Sequence, residues 1–170
     1  MSWCRRLAAA TVCLITAACG FQPLYGDRGG SASLAAQLAS IRVVQITERY
    51  GQVMTNDLHD GLNPNALSVP TVYQLEVALH ETTAPQATRA DGTPSRSALA
   101  LGATWLLRKL GDDNKVVTHG SLKSSTGYDI LNNDYANVVS NNTGELRAVR
   151  DLSDQIQASL AIYFQTQPTT

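Results

Sequence analysis

Side chains that commonly carry chemistry are sparse in this 170-residue chain and lack the spacing of known sites. His59, His80 and His119 fall on different predicted elements, which does not suit a metal site. Asp112 and Asp113 lie in a predicted turn without the alternating ligands and closing glutamate of a calcium loop. A nucleophile elbow, a phosphate-binding glycine loop and a Cys/His pair are not recognisable. The sequence thus predicts a non-enzymatic protein without metal or cofactor, an unrecognised hydrolase being the alternative.

Cys19 is the residue with the clearest predicted chemistry. Arg5 and Arg6 precede an uncharged run over 7–18, and small residues stand just before Cys19. This is the pattern of a bacterial lipoprotein signal peptide over residues 1–18, which would leave Cys19 as an acylated N-terminus carrying a diacylglycerol or palmitate-type anchor. The run of about 12 residues is too short to span a bilayer core of about 30 Å. An ordinary cleaved secretory signal is the alternative.

The mature chain predicted by this signal contains little that would attract nucleic acid. Removing residues 1–18 takes away two arginines, so 11 basic and 14 acidic residues remain, a formal charge of −3. A net acidic domain is unsuited to neutralising a phosphate backbone. Cys4 and Cys13 leave with the signal, so no internal disulfide is expected.

The mature chain has the length of a single domain. Residues 19–37 are rich in Gly, Pro and small polar side chains in their first part and predict a lipidated N-terminus followed by a flexible tether. The folded domain is predicted to span residues 38–166, and residues 167–170 to form a disordered tail. The first element is a β-branched strand over 41–47.

An amphipathic helix and a meander of three strands are predicted next. The helix spans 50–63, where Val53, Met54, Leu58 and Leu62 recur at helical spacing. Alternation predicts strands over 72–80, 99–107 and 115–125. The stretch 84–97 contains two prolines and an Asp-Gly pair and is interpreted as a loop or hairpin tip.

A helix of about 30 residues completes the domain, with apolar residues recurring from Tyr135 and Val138 to Phe164. Its weak point is 141–144, where a break is conceivable on propensity alone. The order β-α-β-β-β-α predicts an α+β two-layer sandwich, in which a four-stranded, mostly antiparallel sheet carries two helices on one face. The predicted core is Leu75, Val77, Leu101, Trp105, Leu146, Ile156 and Leu160.

The start of the mature chain carries a family resemblance. Its first eight residues are Cys19, Gly20, Phe21, Gln22, Pro23, Leu24, Tyr25 and Gly26. They resemble the Cys-Gly-Phe-x-Pro-Leu-Tyr-Gly opening of the LptE family of LPS-assembly lipoproteins. The predicted element order is similar to that family's domain over residues 19 to about 165. Further similarity lies in the closing helix, at Tyr135, Ala136, Arg150, Leu152, Ile156, Tyr163 and Phe164.

The resemblance implies a lipid-anchored protein on the periplasmic side of the outer membrane. Its partners would be an LptD-like β-barrel, which it would plug and help to assemble, and lipopolysaccharide, whose insertion into the outer leaflet it would assist. The alternative is a generic periplasm-facing lipoprotein that binds another protein or a small ligand. The residues alone do not distinguish which faces would contact the barrel.

The resemblance also implies a lipopolysaccharide contact at the predicted hairpin tip. Arg89-Ala90-Asp91-Gly92 is similar to the family pattern of a basic residue before an Asx-Gly turn, and Arg96 lies nearby. A guanidinium suits bidentate contact with phosphate. Asp91 is the only acidic residue of this loop, so Arg89 and Arg96 are the predicted contacts. The family's second basic position, after the fourth strand, has no counterpart, although Lys123 is close to that strand's predicted end.

Overall fold

The computed structural model describes residues 31–47, 49–111, 114–130 and 133–166, which form a sheet covered by helices on one face. The sheet order is β1-β2-β3-β4, with β1 parallel to β2 and the other pairs antiparallel. The predicted α+β layout is confirmed, with three helices among the described residues where two were predicted. The elements are α1 (Ser31–Ala39), β1 (Ile41–Val43), α2 (Arg49–Leu62), β2 (Tyr73–Thr88), β3 (Pro94–Lys109), β4 (Val116–Asp129) and α3 (Asp134–Thr166).

The additional helix, α1, changes the predicted start of the folded domain. Residues 31–37 were expected in the tether, yet they belong to α1, and both Leu34 and Leu38 are buried in the core. The segment is rich in alanine and leucine, which favour helix, and Leu34 and Leu38 are one turn apart on the same side. Small residues made this segment look like a linker. The remaining predicted tether, 19–30, the signal 1–18 and the tail 167–170 lie outside the described residues.

Strands β2 and β3 are longer than predicted, and the stretch 84–97 is mostly paired. Only residues 89–93 connect the two strands, while Pro85 stands opposite Ser97 within the ladder. Strand β1 ends at Val43, opposite Leu75, so along most of its length β2 has no neighbouring strand on its other edge among the described residues. A proline is tolerated at such an edge because its missing N–H removes no ladder bond there. The register is irregular between Pro85 and Thr88.

Helix α3 runs through 141–144 without a break. At Gly144 the helix passes close to the sheet, and a Cβ there would lie 3.1 Å from Thr126 Cγ2. Arg49, the first residue of α2, donates to Asn142 Oδ1 at 2.8 Å and lies 3.3 Å from a Glu145 carboxylate oxygen. Asn141 Nδ2 also donates to Glu145, at 2.6 Å. Tertiary contacts of these polar side chains therefore offset the low helix propensity of the segment.

The core lies between the helices and one face of the sheet. Of the predicted core residues, Leu75, Leu101, Trp105, Ile156 and Leu160 are buried, as expected. Val77 is half-buried against the core. Leu146 is also only half-buried and was wrongly predicted as core. The helical periodicity of α2 is confirmed, because Met54, Leu58 and Leu62 are buried and Val53 packs beside them.

The first two turns of α3 depart from the predicted apolar stripe. Tyr135, Val138 and Val139 were expected to face inward, but their exposed fractions are 78%, 58% and 45%. Helix α2 begins at Arg49, which contacts Asn142, so the turns of α3 before Asn142 extend past the end of α2. Periodicity identified the apolar stripe of α3 correctly, but α2, which lies beside α3, does not reach the first two turns of that stripe.

Candidate contact site at the hairpin tip

The predicted contact site lies at one end of the sheet, called the far end, where residues 89–93 connect β2 to β3. The backbone N–H of Arg89 donates to the Thr93 carbonyl at 2.7 Å, and Gly92 N–H donates to the Arg89 carbonyl at 3.0 Å. Gly92 has a φ of 83°, in the left-handed region that glycine adopts without strain. The turn predicted from Asp91 and Gly92 is thus confirmed and is only five residues long.

The side chain of Asp91 accepts hydrogen bonds within this turn and stabilises it. Its Oδ1 accepts hydrogen bonds from the Thr93 hydroxyl at 2.6 Å and from the Thr93 backbone N–H at 2.9 Å. The bond from the hydroxyl, followed by the bond from the amide, holds the pKa of Asp91 below its usual value, and the nearby Arg89 charge adds to this. The tip therefore carries an ionised carboxylate beside the arginine at neutral pH.

Arg89 joins the hairpin tip to the end of β4. Its guanidinium donates to the Ile130 carbonyl at 2.7 Å and to the Pro94 carbonyl at 3.1 Å. A longer contact of 3.4 Å reaches the Thr93 hydroxyl. These acceptors are neutral, and among the described residues no carboxylate lies within 4 Å of this guanidinium. Arg89 is therefore oriented by the fold while its charge remains without a contacting counter-ion there.

Arg96 reaches the same end of the sheet in a different arrangement. Its guanidinium lies 3.4 Å from Asp129 Oδ1, and both side chains are exposed. The guanidinium also covers Gly127 on the neighbouring strand. Asp129 was missed in the sequence because it is 33 residues away from Arg96, with no local pattern linking the two. Asp129 thus pairs with Arg96, whereas Asp91 lies near Arg89 without forming an ion pair with its guanidinium.

Lys123 lies away from this tip. It stands opposite Gly102 on the sheet face that carries none of the described helices, called the helix-free face, whereas Arg96 is paired with Asp129, six residues further along β4. At about 3.3 Å per residue this separation is about 20 Å. Lys123 therefore does not supply a second basic group beside Arg89 and Arg96.

The same helix-free face carries a row of polar side chains at the opposite, near end. Arg42 donates to Gln74 at 2.9 Å, Gln74 to Glu76 at 3.2 Å, and Arg108 to Glu76 at 3.1 Å. This row crosses β1, β2 and β3. Its only carboxylate, Glu76, is paired with Arg108, and Arg42 leaves the row with a net charge of +1. The hydrogen bonds along the row align the three strands.

The three histidines lie apart in the fold. His59 is exposed on α2 beside Asp60, His80 covers Gly102, and His119 is exposed on β4. Within the described ranges, no three His, Cys, Asp or Glu side chains are grouped so as to hold a metal ion. None of the helices in the described part of the chain is both long and apolar enough to cross a membrane. The predicted lipidation site, Cys19, lies outside the described residues.

The lipopolysaccharide contact that the family resemblance implies gives a prediction for the two tip arginines. Changing both Arg89→Ala and Arg96→Ala should weaken binding of purified lipopolysaccharide roughly tenfold, since each exposed charge contact contributes about 1 kcal/mol or less. The melting temperature should change little, because both side chains are exposed. The matched control changes Arg147→Ala and Arg150→Ala, two exposed arginines in the middle of α3. Equal binding by the two double variants would assign Arg89 and Arg96 to the solvated surface.

Comparison with known proteins identifies the fold but not a family. None of the known protein-family profiles matches the chain, and none of the curated proteins does. A candidate lipoprotein from Caulobacter crescentus has a similar structure, with a TM-score of 0.67 and 23% identity over 80% of this chain and 98% of its own. Rare lipoprotein B from Shewanella oneidensis aligns with a TM-score of 0.56 and 10% identity, covering 73% and 95%. An uncharacterised lipoprotein B from Nitrosomonas europaea aligns with a TM-score of 0.54 and 11% identity, covering 86% and 94%. The chain therefore shares the fold of these solved bacterial proteins over nearly their whole lengths.

Proposed function

We propose that this protein is a non-enzymatic outer-membrane lipoprotein that plugs an LptD-like β-barrel and takes part in inserting lipopolysaccharide into the outer leaflet. The observation that carries the proposal is the eight-residue opening from Cys19 to Gly26, followed by a domain with the fold of proteins named as lipoproteins. The opening supports the LPS-assembly family, and the fold is compatible with it.

The shape of the domain supports a role inside a larger protein. Helix α3 has 33 residues, and β2 and β3 have 16 residues each, which gives an elongated body about 50 Å long. Side chains at the far end of β2 are exposed on both faces. Contact with a partner around such a body would use shape and buried area over many residues rather than a single strong site.

Copurification from native outer membranes tests the partner. The full-length lipidated chain, carrying a C-terminal affinity tag, should be extracted in detergent and elute in a stable one-to-one complex with a β-barrel much larger than itself. The double variant Arg89→Ala, Arg96→Ala should retain the complex, because barrel contact is spread over many residues. Elution of the chain alone, or with a partner that is not a barrel, would support the generic lipoprotein instead.

The membrane anchor gives a separate prediction. The mature chain should begin at Cys19 and carry a diacylglyceryl group on its sulfur, because the preceding basic, apolar and small residues form a lipoprotein signal. Intact-mass spectrometry of the membrane-extracted protein measures this directly. The variant Cys19→Ser should remain unprocessed or lack the lipid mass. A wild-type mature chain without any acyl mass would support an ordinary secretory signal.

A further inference from the structure

The far end of the domain contains a partly apolar surface between α3 and β2 that no other described residues cover. Its α3 side consists of Tyr135, Val138 and Val139, which are among the most exposed large apolar side chains of the described residues. Its β2 side is the helix-facing side of residues 82–88, which includes Thr83 and Pro85, and all residues of this segment are exposed. We call this surface, defined by these three side chains and this part of β2, the distal shelf.

The α3 side of the shelf continues the buried stripe of the same helix. Residues two heptads apart lie on nearly the same side of a helix, with a drift of about 20° per heptad. The residues 14 positions after Tyr135, Val138 and Val139 are Val149, Leu152 and Ser153, with exposed fractions of 0%, 0% and 1%. The exposed side chains therefore occupy the helix surface that is buried further along, at a place that α2 does not reach.

The β2 side of the shelf shows where the cover of the sheet ends. Strand β2 pairs Thr83 with Leu99 and Pro85 with Ser97 of β3. Leu99 and Ser97 are buried, with exposed fractions of 0% and 6%, whereas Thr83 and Pro85 are exposed. Helix α3 thus covers β3 and β4 at the far end, and within the described ranges nothing covers β2 there.

Charge distinguishes the two ends of the shelf. Residues 82–88 are uncharged over about 20 Å of strand, and the next residue is Arg89. The Arg89 guanidinium has only neutral hydrogen-bond acceptors and is tied to Ile130, three residues before the Asn133 side chain that caps α3. The other arginines near the shelf, Arg49 and Arg96, each contact a carboxylate. An uncharged, partly apolar surface that ends at an oriented cation fits an amphiphile with an anionic head and hydrocarbon chains.

We propose that the distal shelf binds acyl chains of lipopolysaccharide, next to the contact of Arg89 with the head group that the family resemblance implies. This inference rests on the proposed function and names the part of lipopolysaccharide that each region recognises. The fold leaves apolar area of Val138 and Val139 exposed. Contact with hydrocarbon chains would remove this area from water, which is favourable. The shelf therefore recognises acylation, and Arg89 recognises charge.

Photo-crosslinking in cells tests the occupant in the intact complex. The photoreactive amino acid p-benzoylphenylalanine replaces Val138 in the full chain, and the matched control replaces Ile162, which is 55% exposed near the other end of α3. Irradiation should yield a lipopolysaccharide adduct from position 138 and none from position 162. A protein adduct at position 138, or no lipopolysaccharide adduct there, would overturn the proposal.

A binding measurement separates the shelf from the rest of the protein. The double variant Val138→Ser, Val139→Ser should bind purified lipopolysaccharide about tenfold more weakly than wild type does. Its affinity for lipopolysaccharide from which alkali has removed the acyl chains should equal that of wild type. Ile162→Ser should leave both affinities unchanged. Equal weakening toward both ligands, or no weakening, would overturn the shelf assignment. Because these measurements need no barrel, their failure is distinguishable from failure of barrel copurification.

Discussion

The variant Trp105→Ala should lose most of the stability of the domain. The indole ring is 4% exposed and lies on β3 between Val77 of β2 and Gly120 of β4, facing the helices. Truncating a buried tryptophan costs about 3–5 kcal/mol, which is comparable with the whole free energy of unfolding of a small domain. Urea unfolding followed by circular dichroism measures this effect without depending on tryptophan fluorescence.

The matched variant Trp105→Phe separates volume from hydrogen bonding. The buried Nε1 of Trp105 has no hydrogen-bond partner among the described residues. Phenylalanine removes this unsatisfied donor and retains most of the apolar ring, so we expect a cost below about 1.5 kcal/mol. A Trp105→Ala variant within about 1 kcal/mol of wild type would contradict the packing of this ring in the core.

After Trp105→Ala, the variant Gly120→Ala should be the most destabilising of the substitutions proposed for this domain, although it adds a single methyl group. A Cβ at Gly120 would lie 2.8–2.9 Å from ring atoms of Trp105. The ring is buried and cannot move aside without displacing its neighbours, and overpacking of this kind costs about 1–3 kcal/mol. Chemical denaturation of the purified variant should show this as a lower midpoint with an unchanged slope.

Gly102→Ala is the matched control for this prediction. A Cβ at Gly102 would lie even closer to the ring of His80 than a Cβ at Gly120 would lie to the ring of Trp105. His80, however, is exposed on the helix-free face of the sheet. An exposed side chain can rotate away, so the change in the free energy of unfolding should stay within about 0.5 kcal/mol. Similar losses for both variants would mean that glycine is needed at these positions for a reason other than the covering ring.

Several elements of the fold were predictable because their patterns are local. Met54, Leu58 and Leu62 recur at helical spacing and are buried, and Asp91 with Gly92 marks the turn that connects β2 to β3. These features depend on residues a few positions apart, whose preferences are set by side-chain periodicity and by the φ that glycine allows. The meander and the long closing helix follow from the same local reasoning.

Boundaries were less predictable, because partners distant in sequence decide them. Pro85 suggested a loop, but it lies on an edge of β2 where no described strand pairs, and such an edge tolerates a proline. Gly144 suggested a break in α3, but there the helix passes close to Thr126, while Arg49 and Glu145 secure the adjacent turn. Neither effect has a signal within the segment itself.

By itself, the sequence indicated Arg89 and Arg96 as the candidate contact residues at the hairpin tip and Cys19 as the candidate lipidation site. It also indicated the apolar helical stripe that includes Val138. Only the tertiary structure decided how Arg89, Arg96 and Val138 are placed. It paired Arg96 with Asp129, held Arg89 on backbone carbonyls, and placed the first residue of α2 beside Asn142, so that α2 does not cover Val138. The reason is that periodicity specifies which side of an element is apolar, whereas burial and ion pairing depend on which other elements reach that side.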